Sequence, residues 1–265
     1  MALERVQKIM CNAGYCSRRK AEELIADGKV LVNSTRIKLG DKADTTKDKI
    51  LISGKLLSIE NRKYYSFYKP KHVLTTLHDP YGKTTIMDYI QNLPVRVFPV
   101  GRLDYDAEGL LILTNDGDFA NRIMHPRYET LKTYEAELRD RIRDADLNKL
   151  KGVIRLDDGN VKIESCKRLG ENLIEITIHE GRHKIVKRIF KDLGFYVKRL
   201  KRTRIGPIHI GKLKPGTLSE IPDSMIKGIM TGRISLKTTI KKPVVSKPTT
   251  PIPSKPSANR PKNRK

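Results

Sequence analysis

The 265 residues carry a formal charge of +24, with 32% charged and 6% aromatic side chains. That length allows one or two domains with a substantial core, and so basic a chain calls for a polyanionic partner, nucleic acid being the commonest. Nine Lys/Arg and no acid fall in residues 237–265, so most of the charge belongs to the body. Cys11, Cys16 and Cys166 form no Cys-x-x-Cys pair, which argues against secretion and for a reducing cytoplasm. No His/Cys cluster has zinc-ligand spacing. The N-terminus MALERVQKIM is charged where a signal peptide would be apolar, and no apolar run is long enough to span a membrane.

In chain order, Glu4 to Asn12 has helical spacing and Gly14 ends it. Ser17 is a good cap for a second helix, Arg18 to Ala26, with Ala21, Leu24 and Ile25 inward. Val30–Val32 and Ile50–Ile52 read as strands, with Asn33-Ser34 as a turn. Arg18, Arg19 and Lys20 occupy the first turn of the second helix, where the macrodipole disfavours cations. They form either a solvated basic face or a phosphate clamp built with the free N–H groups of that turn.

Tyr64–Tyr68 is a β-prone aromatic run closed by Lys69-Pro70, better suited to a strand core than to base stacking. Val73–Thr76 leads to a turn at Asp79–Gly82, and Thr85–Leu93 reads as a short helix stopped by Pro94. After a β-prone lead, Val95–Val100, comes Gly101 to Ala120, around which the chain is organised. It presents Arg102-Leu103-Asp104, then the apolar run Leu110–Leu113, of core-strand length. Asn115-Asp116-Gly117 is a turn, and Asp118 is placed to cap a helix through Met124. A carboxylate on a loop stiffened by a buried strand suits a catalytic role.

Further on, Lys132–Leu138 alternates as a half-buried strand and Asp144–Val153 is helical. Val161–Arg168 and Asn172–His179 form a hairpin at Gly170. His183–Leu193 is a helix stopped by Gly194, and Tyr196–Ile205 and Ile208–Leu213 are strands. Runs of strands with interspersed helices and no strict βαβ rhythm predict an α+β fold with a mainly antiparallel sheet. From Lys237 onward, prolines with Ser, Thr and Lys predict a disordered basic tail.

Asp104, Asp106, Glu108 and Gly109 match the opening of an EF-hand loop. Calcium is excluded because Leu110–Leu113 belongs in a core, and position twelve is Asn115 rather than Glu. A glycosidase-like carboxylate pair remains open on spacing alone. No nucleophile elbow or shared Ser-His-Asp frame is present.

Two stretches resemble known families. Arg5, Gly14-Tyr15-Cys16-Ser17-Arg18-Arg19-Lys20-Ala21, Ile25 and Gly28-Lys29-Val30-Leu31-Val32-Asn33 resemble the S4-type RNA-binding domain, with Ser34 where that family usually has Gly. Pro99-Val100-Gly101-Arg102-Leu103-Asp104 and Glu108-Gly109-Leu110-Leu111-Ile112-Leu113-Thr114-Asn115-Asp116-Gly117 resemble the catalytic motif of ribosomal-RNA pseudouridine synthases. The branch is that of the small-subunit uridine-516 enzyme and its large-subunit relatives. His125-Pro126, Lys132-Thr133-Tyr134, Glu180-Gly181-Arg182 and Lys187-Arg188 follow at the spacing of its later motifs.

The resemblance implies an S4-like domain at 1–59, a catalytic domain at 60–236 and the tail at 237–265. It implies Asp104 as nucleophile, acting at the sugar C1′ or at C6 of a flipped-out uridine. Tyr134 would stack on the base, and Lys187 would balance Asp104, although Arg188 flanks the apolar stripe at a similar angle. Arg102 would fill the space the base vacates, while Arg182, Arg188, Arg5, Arg18, Arg19, Lys20 and Lys29 would contact RNA. The expected substrate is ribosomal RNA, of the large subunit, free or in a pre-ribosomal particle. The expected protein is a cytoplasmic monomer needing no metal, nucleotide or other cofactor. The alternative is a non-catalytic rRNA-binding or assembly factor of the same fold.

Overall fold

The computed structural model describes residues 3–58 and 60–237. The expected tail, from 238 onward, lies outside the described residues.

The first part of the chain begins with strand β1 (Glu4–Arg5), helix α1 (Val6–Asn12) and helix α2 (Arg18–Ala26). Short strands β2 (Val30–Val32), β3 (Thr35–Arg36), β4 (Lys42–Ala43), β5 (Ile50–Ile52) and β6 (Lys55–Leu56) complete it. The sheet order is β3-β2-β5-β6, with β1 and β4 paired separately. That pairing starts the first helix two residues later than expected. Val6, Ile9, Met10, Ala21, Ile25, Val30 and Ile52 form one small core. Ser17 caps α2 as its sequence suggests, its Oγ accepting from the Lys20 amide at 3.2 Å. Asn33 and Ser34 both take positive φ, 49° and 70°, to turn from β2 into β3. The Ser at the second of these positions departs from the glycine preference of left-handed turns.

The remaining strands form one large sheet. They are β7 (Tyr64–Lys69), β8 (Phe98–Val100), β9 (Glu108–Thr114), β10 (Lys132–Leu138), β11 (Gly152–Leu156), β12 (Gly159–Arg168), β13 (Leu173–Ile178), β14 (Val197–Ile205), β15 (Ile208–His209) and β16 (Leu218–Glu220). The order is β11-β12-β13-β10-β14-β9-β7-β16, with β8 on β9 and β15 on β14. The β14–β9 pairing is parallel and the others are antiparallel. The α+β fold with a mainly antiparallel sheet follows the sequence reading.

Helices cover the sheet as its alternation demands. Tyr64, Tyr68, Leu110 and Ile112 meet α4 (Gly117–Met124) and α7 (Asp223–Met230), whereas Tyr65, Phe67, Leu111 and Leu113 pack with Ile86 and Ile90 around α3 (Met87–Ile90) on the other face. The aromatic run of β7 is therefore core. Helix α6 (Ile185–Asp192) lays Ile185, Val186, Ile189 and Phe190 on the β10–β14 half. No helix among the described residues is long and apolar enough to cross a membrane.

Several elements differ from expectation. Helix α5 (Asp144–Lys149) is shorter than predicted, because Gly152, at φ 110°, turns the chain into β11, which pairs with β12. The cap of α4 is Asp116 rather than Asp118. Its Oδ1 accepts from the Asp118 and Phe119 amides at 2.9 and 3.1 Å. The predicted helix at 85–93 shrinks to the single turn of α3, since Thr85 bridges to Leu74. Of the predicted Ile208–Leu213 strand, only β15 is paired. β16 and α7 were not anticipated. β16 is only three residues long, and the Met225, Ile226 and Ile229 face of α7 becomes meaningful once β7 and β9 offer a surface.

Gly109 sits where the parallel and antiparallel halves join. Its φ is 110°, and a Cβ there would lie 2.3 Å from the Arg202 carbonyl oxygen. Gly109→Ala is expected to destabilise the fold by about 3 kcal/mol, read as a lowered urea midpoint. An unchanged midpoint contradicts this close approach.

Candidate active site

A single register row crosses the sheet at Gly109. Lys69 of β7 pairs with Gly109 of β9. Arg202 of β14 pairs with Gly109 on the other side, and Tyr134 of β10 pairs with Arg202. Residues in register share a face, so a glycine with no side chain separates two buried cations, and an aromatic stands next to the second of them.

The loop from Gly101 to Ala107 lies over this row and is held along its length. Arg202 Nη1 donates to the Arg102 carbonyl at 3.3 Å. Thr75 Oγ1 donates to the Leu103 carbonyl at 2.7 Å and accepts from the Leu103 amide at 3.2 Å. The His72 amide donates to the Tyr105 carbonyl at 2.7 Å. Lys187 Nζ meets Asp106 Oδ2 at 2.5 Å. Lys69 Nζ donates to the Ala107 and Pro70 carbonyls, each at 2.8 Å.

The three carboxylates at Asp104, Asp106 and Glu108 have different surroundings. Glu108 is buried and bonded to Arg199 Nε at 2.5 Å and to the Tyr68 hydroxyl at 3.0 Å. Burial pushes its carboxyl up, but Arg199 and Tyr68 outweigh this and leave it below the usual range. Burial likewise raises Asp106, and Lys187 more than compensates. Asp104 is half-buried, and among the described residues its carboxylate has neither hydrogen bond nor ion pair. The loop thus has a fixed backbone and carries one anion with no direct partner among the described residues.

That carboxylate lines a cavity of about 1180 Å³, together with Tyr134, Arg102, Arg182, Lys132 and Arg202. The space is sufficient for a nucleotide with its neighbours, and the wall is cationic. Tyr134 is 6% exposed. Lys132 Nζ donates to the His179 carbonyl at 2.8 Å, and burial pushes its ammonium down to about 8. Lys69 is fully buried, and burial brings it too to about 8, against the pull of Asp104, Asp106 and Glu108.

The structure brings Asp104, Tyr134, Arg102 and Arg182 to one cavity, and leaves Lys187 and Arg188 out of its lining. Lys187 engages Asp106 rather than Asp104. Arg188 instead holds the hairpin turn between β11 and β12, donating to Asp158 Oδ2 at 2.7 Å and to Asp157. Arg182 reaches the same turn, at Asp158 Oδ1 (2.6 Å) and the Asn160 carbonyl (2.9 Å), and bonds Glu180 at 2.6 Å. In the first part of the chain, Arg5, Arg18 and Arg19 are exposed. Lys20 pairs with Glu23 and Lys29 with Asp27, both at 2.9 Å.

Sequence reasoning passed over Arg202 and Lys69. A signal for Arg202 existed. Alternation through β14 places Arg202 on the same face as Leu200, which is buried, so a cation stood on an apolar face. From sequence, Lys69 reads only as the end of a strand, since Pro70 follows it.

A large cavity with a cationic wall at the sheet junction suits a polyanionic ligand such as RNA. Residues 63–192 match the model of the RNA pseudouridylate synthase family, and residues 4–50 match that of the S4 domain. The chain is 46% identical over 223 residues to an uncharacterized RNA pseudouridine synthase of Aquifex aeolicus (strain VF5), covering 82% of this chain and 90% of that one. It is 40% identical over 232 residues to the ribosomal large subunit pseudouridine synthase B of Bacillus subtilis (strain 168), covering 85% and 95%. A crystal structure of pseudouridylate synthase superposes with a TM-score of 0.62 at 28% identity, covering 85% of this chain and 99% of that one. The chain belongs to the RNA pseudouridylate synthase family and carries an S4 domain.

Lys69 gives the site a test in stability. Its folded pKa, about 8, lies below the ordinary 10.5. The cost of burying its charge is thus full below about pH 8 and relieved as pH rises toward 10.5. Relative to Lys69→Met, the wild type should gain roughly 2 kcal/mol between about pH 7.5 and pH 10, read from paired urea melts. A difference that does not change with pH contradicts the burial.

Proposed function

We propose that this protein converts uridine to pseudouridine in the RNA of the large ribosomal subunit, free or in a pre-ribosomal particle, acting as a monomer with Asp104 as the reacting carboxylate. The observation that carries the reading is the lone unpaired carboxylate of Asp104 on an otherwise fully tied loop. Membership of the family and the likeness to the Bacillus large-subunit enzyme support the substrate.

The reaction breaks the N1–C1′ bond, turns the uracil over and joins C5 to C1′, while C5 gives up its proton and N1 takes one up. It conserves every atom of the nucleoside. Asp104, on the cavity wall, serves the electron-deficient sugar carbon or C6 of the base. Tyr134, beside Arg202 in the register row and on the cavity lining, offers a stacking face to a base taken out of the RNA. Arg102 is exposed at the cavity rim, where a guanidinium can occupy the vacated stack. Lys187 contributes by holding Asp106 and with it the loop. The surface of α2 that bears Arg18 and Arg19, with Arg5 nearby in the same module, serves as the docking face for structured RNA. In this reading residues 1–59 dock and residues 60–236 react.

Asp104→Asn should lower the rate of pseudouridine formation about 10³-fold or more while leaving RNA affinity within about threefold. Carbodiimide-dependent reverse-transcription stops on treated ribosomal RNA report the first quantity, and filter binding the second. Stops that persist undiminished with the variant contradict the assignment.

A further inference from the structure

Arg202 is 4% exposed, yet it lines the cavity. Its Nε donates to the Leu110 carbonyl at 2.8 Å and its Nη1 to the Arg102 carbonyl at 3.3 Å. Its Nη2 is buried and has no hydrogen-bond partner among the described residues. A buried donor on a permanent cation is rarely left idle, because the cost of stripping its water goes unrecovered. On the same cavity stands the Asp104 carboxylate, also without a partner, two residues beyond a carbonyl that Arg202 already holds.

Arg102 is exposed at the cavity rim and screened by water, and most of the other neighbouring cations are engaged. Lys69 bonds the Pro70 and Ala107 carbonyls. Lys132 bonds those of Thr130 and His179. Lys187 is taken by Asp106, and Arg182 by Glu180 and the hairpin turn. Lys184, from the loop before α6, lines the cavity as well, but its side chain is exposed and screened by water.

We propose that Arg202 is the positioning residue for Asp104: its free Nη2–H takes one carboxylate oxygen when an extruded uridine fills the cavity and expels water, keeping the group ionised and aiming the other oxygen at the nucleoside. This rests on Asp104 being the reacting group. An opposite charge at hydrogen-bond distance holds a carboxylate ionised where desolvation would otherwise protonate it. A planar guanidinium already tied down through Nε and Nη1 fixes the direction of its remaining N–H as well as supplying charge, which a lysine cannot reproduce.

The test is the single-turnover rate of pseudouridine formation on in-vitro transcribed large-subunit ribosomal RNA, followed from about pH 5 to pH 9. Wild type, Arg202→Met and Arg202→Lys are compared, with RNA affinity measured alongside. Arg202→Met should move the acidic limb of the rate profile up by about one pH unit and lower the plateau about 100-fold, with affinity within about threefold. Arg202→Lys should bring the acidic limb back while the plateau stays low.

Parallel profiles for all three proteins overturn the proposal, as does a loss of RNA affinity equal to the loss of rate. Should Arg202→Met not fold, Arg202→Lys decides, and a wild-type plateau in that variant overturns it. Asp104→Asn separates the two levels. If that variant stays active, the assignment of Asp104 falls and this proposal with it. If it is inactive while Arg202→Met keeps an unshifted acidic limb, only the role of Arg202 falls.

Discussion

The structure depends on the close parallel approach of β14 to β9 at Gly109. That approach joins two antiparallel half-sheets into one, and no side chain other than hydrogen fits between the strands. It also brings Lys69, Arg202 and Tyr134 into one row beneath the loop that carries Asp104. Two buried cations are costly to place in a protein interior. Here each donates to backbone carbonyls of the loop or of the strand that follows it, so their charge contributes to the rigidity of that loop.

The loop shows how a local motif becomes a site only in tertiary context. Three of its neighbours in space, Thr75, His72 and Lys187, come from segments before and after it in the chain. Asp106 and Glu108 resemble Asp104 in sequence, but Lys187 and Arg199 claim them. What distinguishes Asp104 is that among the described residues its carboxylate has no hydrogen bond or ion pair, a property of the assembled surroundings and not of the residue.

Much of this was legible beforehand, and the reasons are physical. The apolar run Leu110–Leu113 could only be a core strand, and all four residues are fully buried. The amphipathic spacing of α6 and the Ser17 cap of α2 are local signals that survived folding unchanged. Strand β11 was hidden because Gly152 redirects a segment that continues a helix in composition. Asp116 took the capping role from Asp118 because Arg62 at 3.0 Å and the Tyr64 hydroxyl at 2.7 Å fix its carboxylate, contacts made by residues more than fifty positions away. The partners of Lys187, Arg182 and Arg188 were beyond reach for the same reason, since helical angle specifies a direction and not what waits there.

The acidic turn between β11 and β12 has an electrostatic consequence. Asp157 and Asp158 occupy the guanidiniums of Arg182 and Arg188 as phosphate oxygens would. The formal charge of the chain therefore overstates the field that a nucleic acid meets near the cavity mouth. Ions displaced from an incoming strand should number fewer than the cations arrayed along it, since part of that array is already neutralised from within.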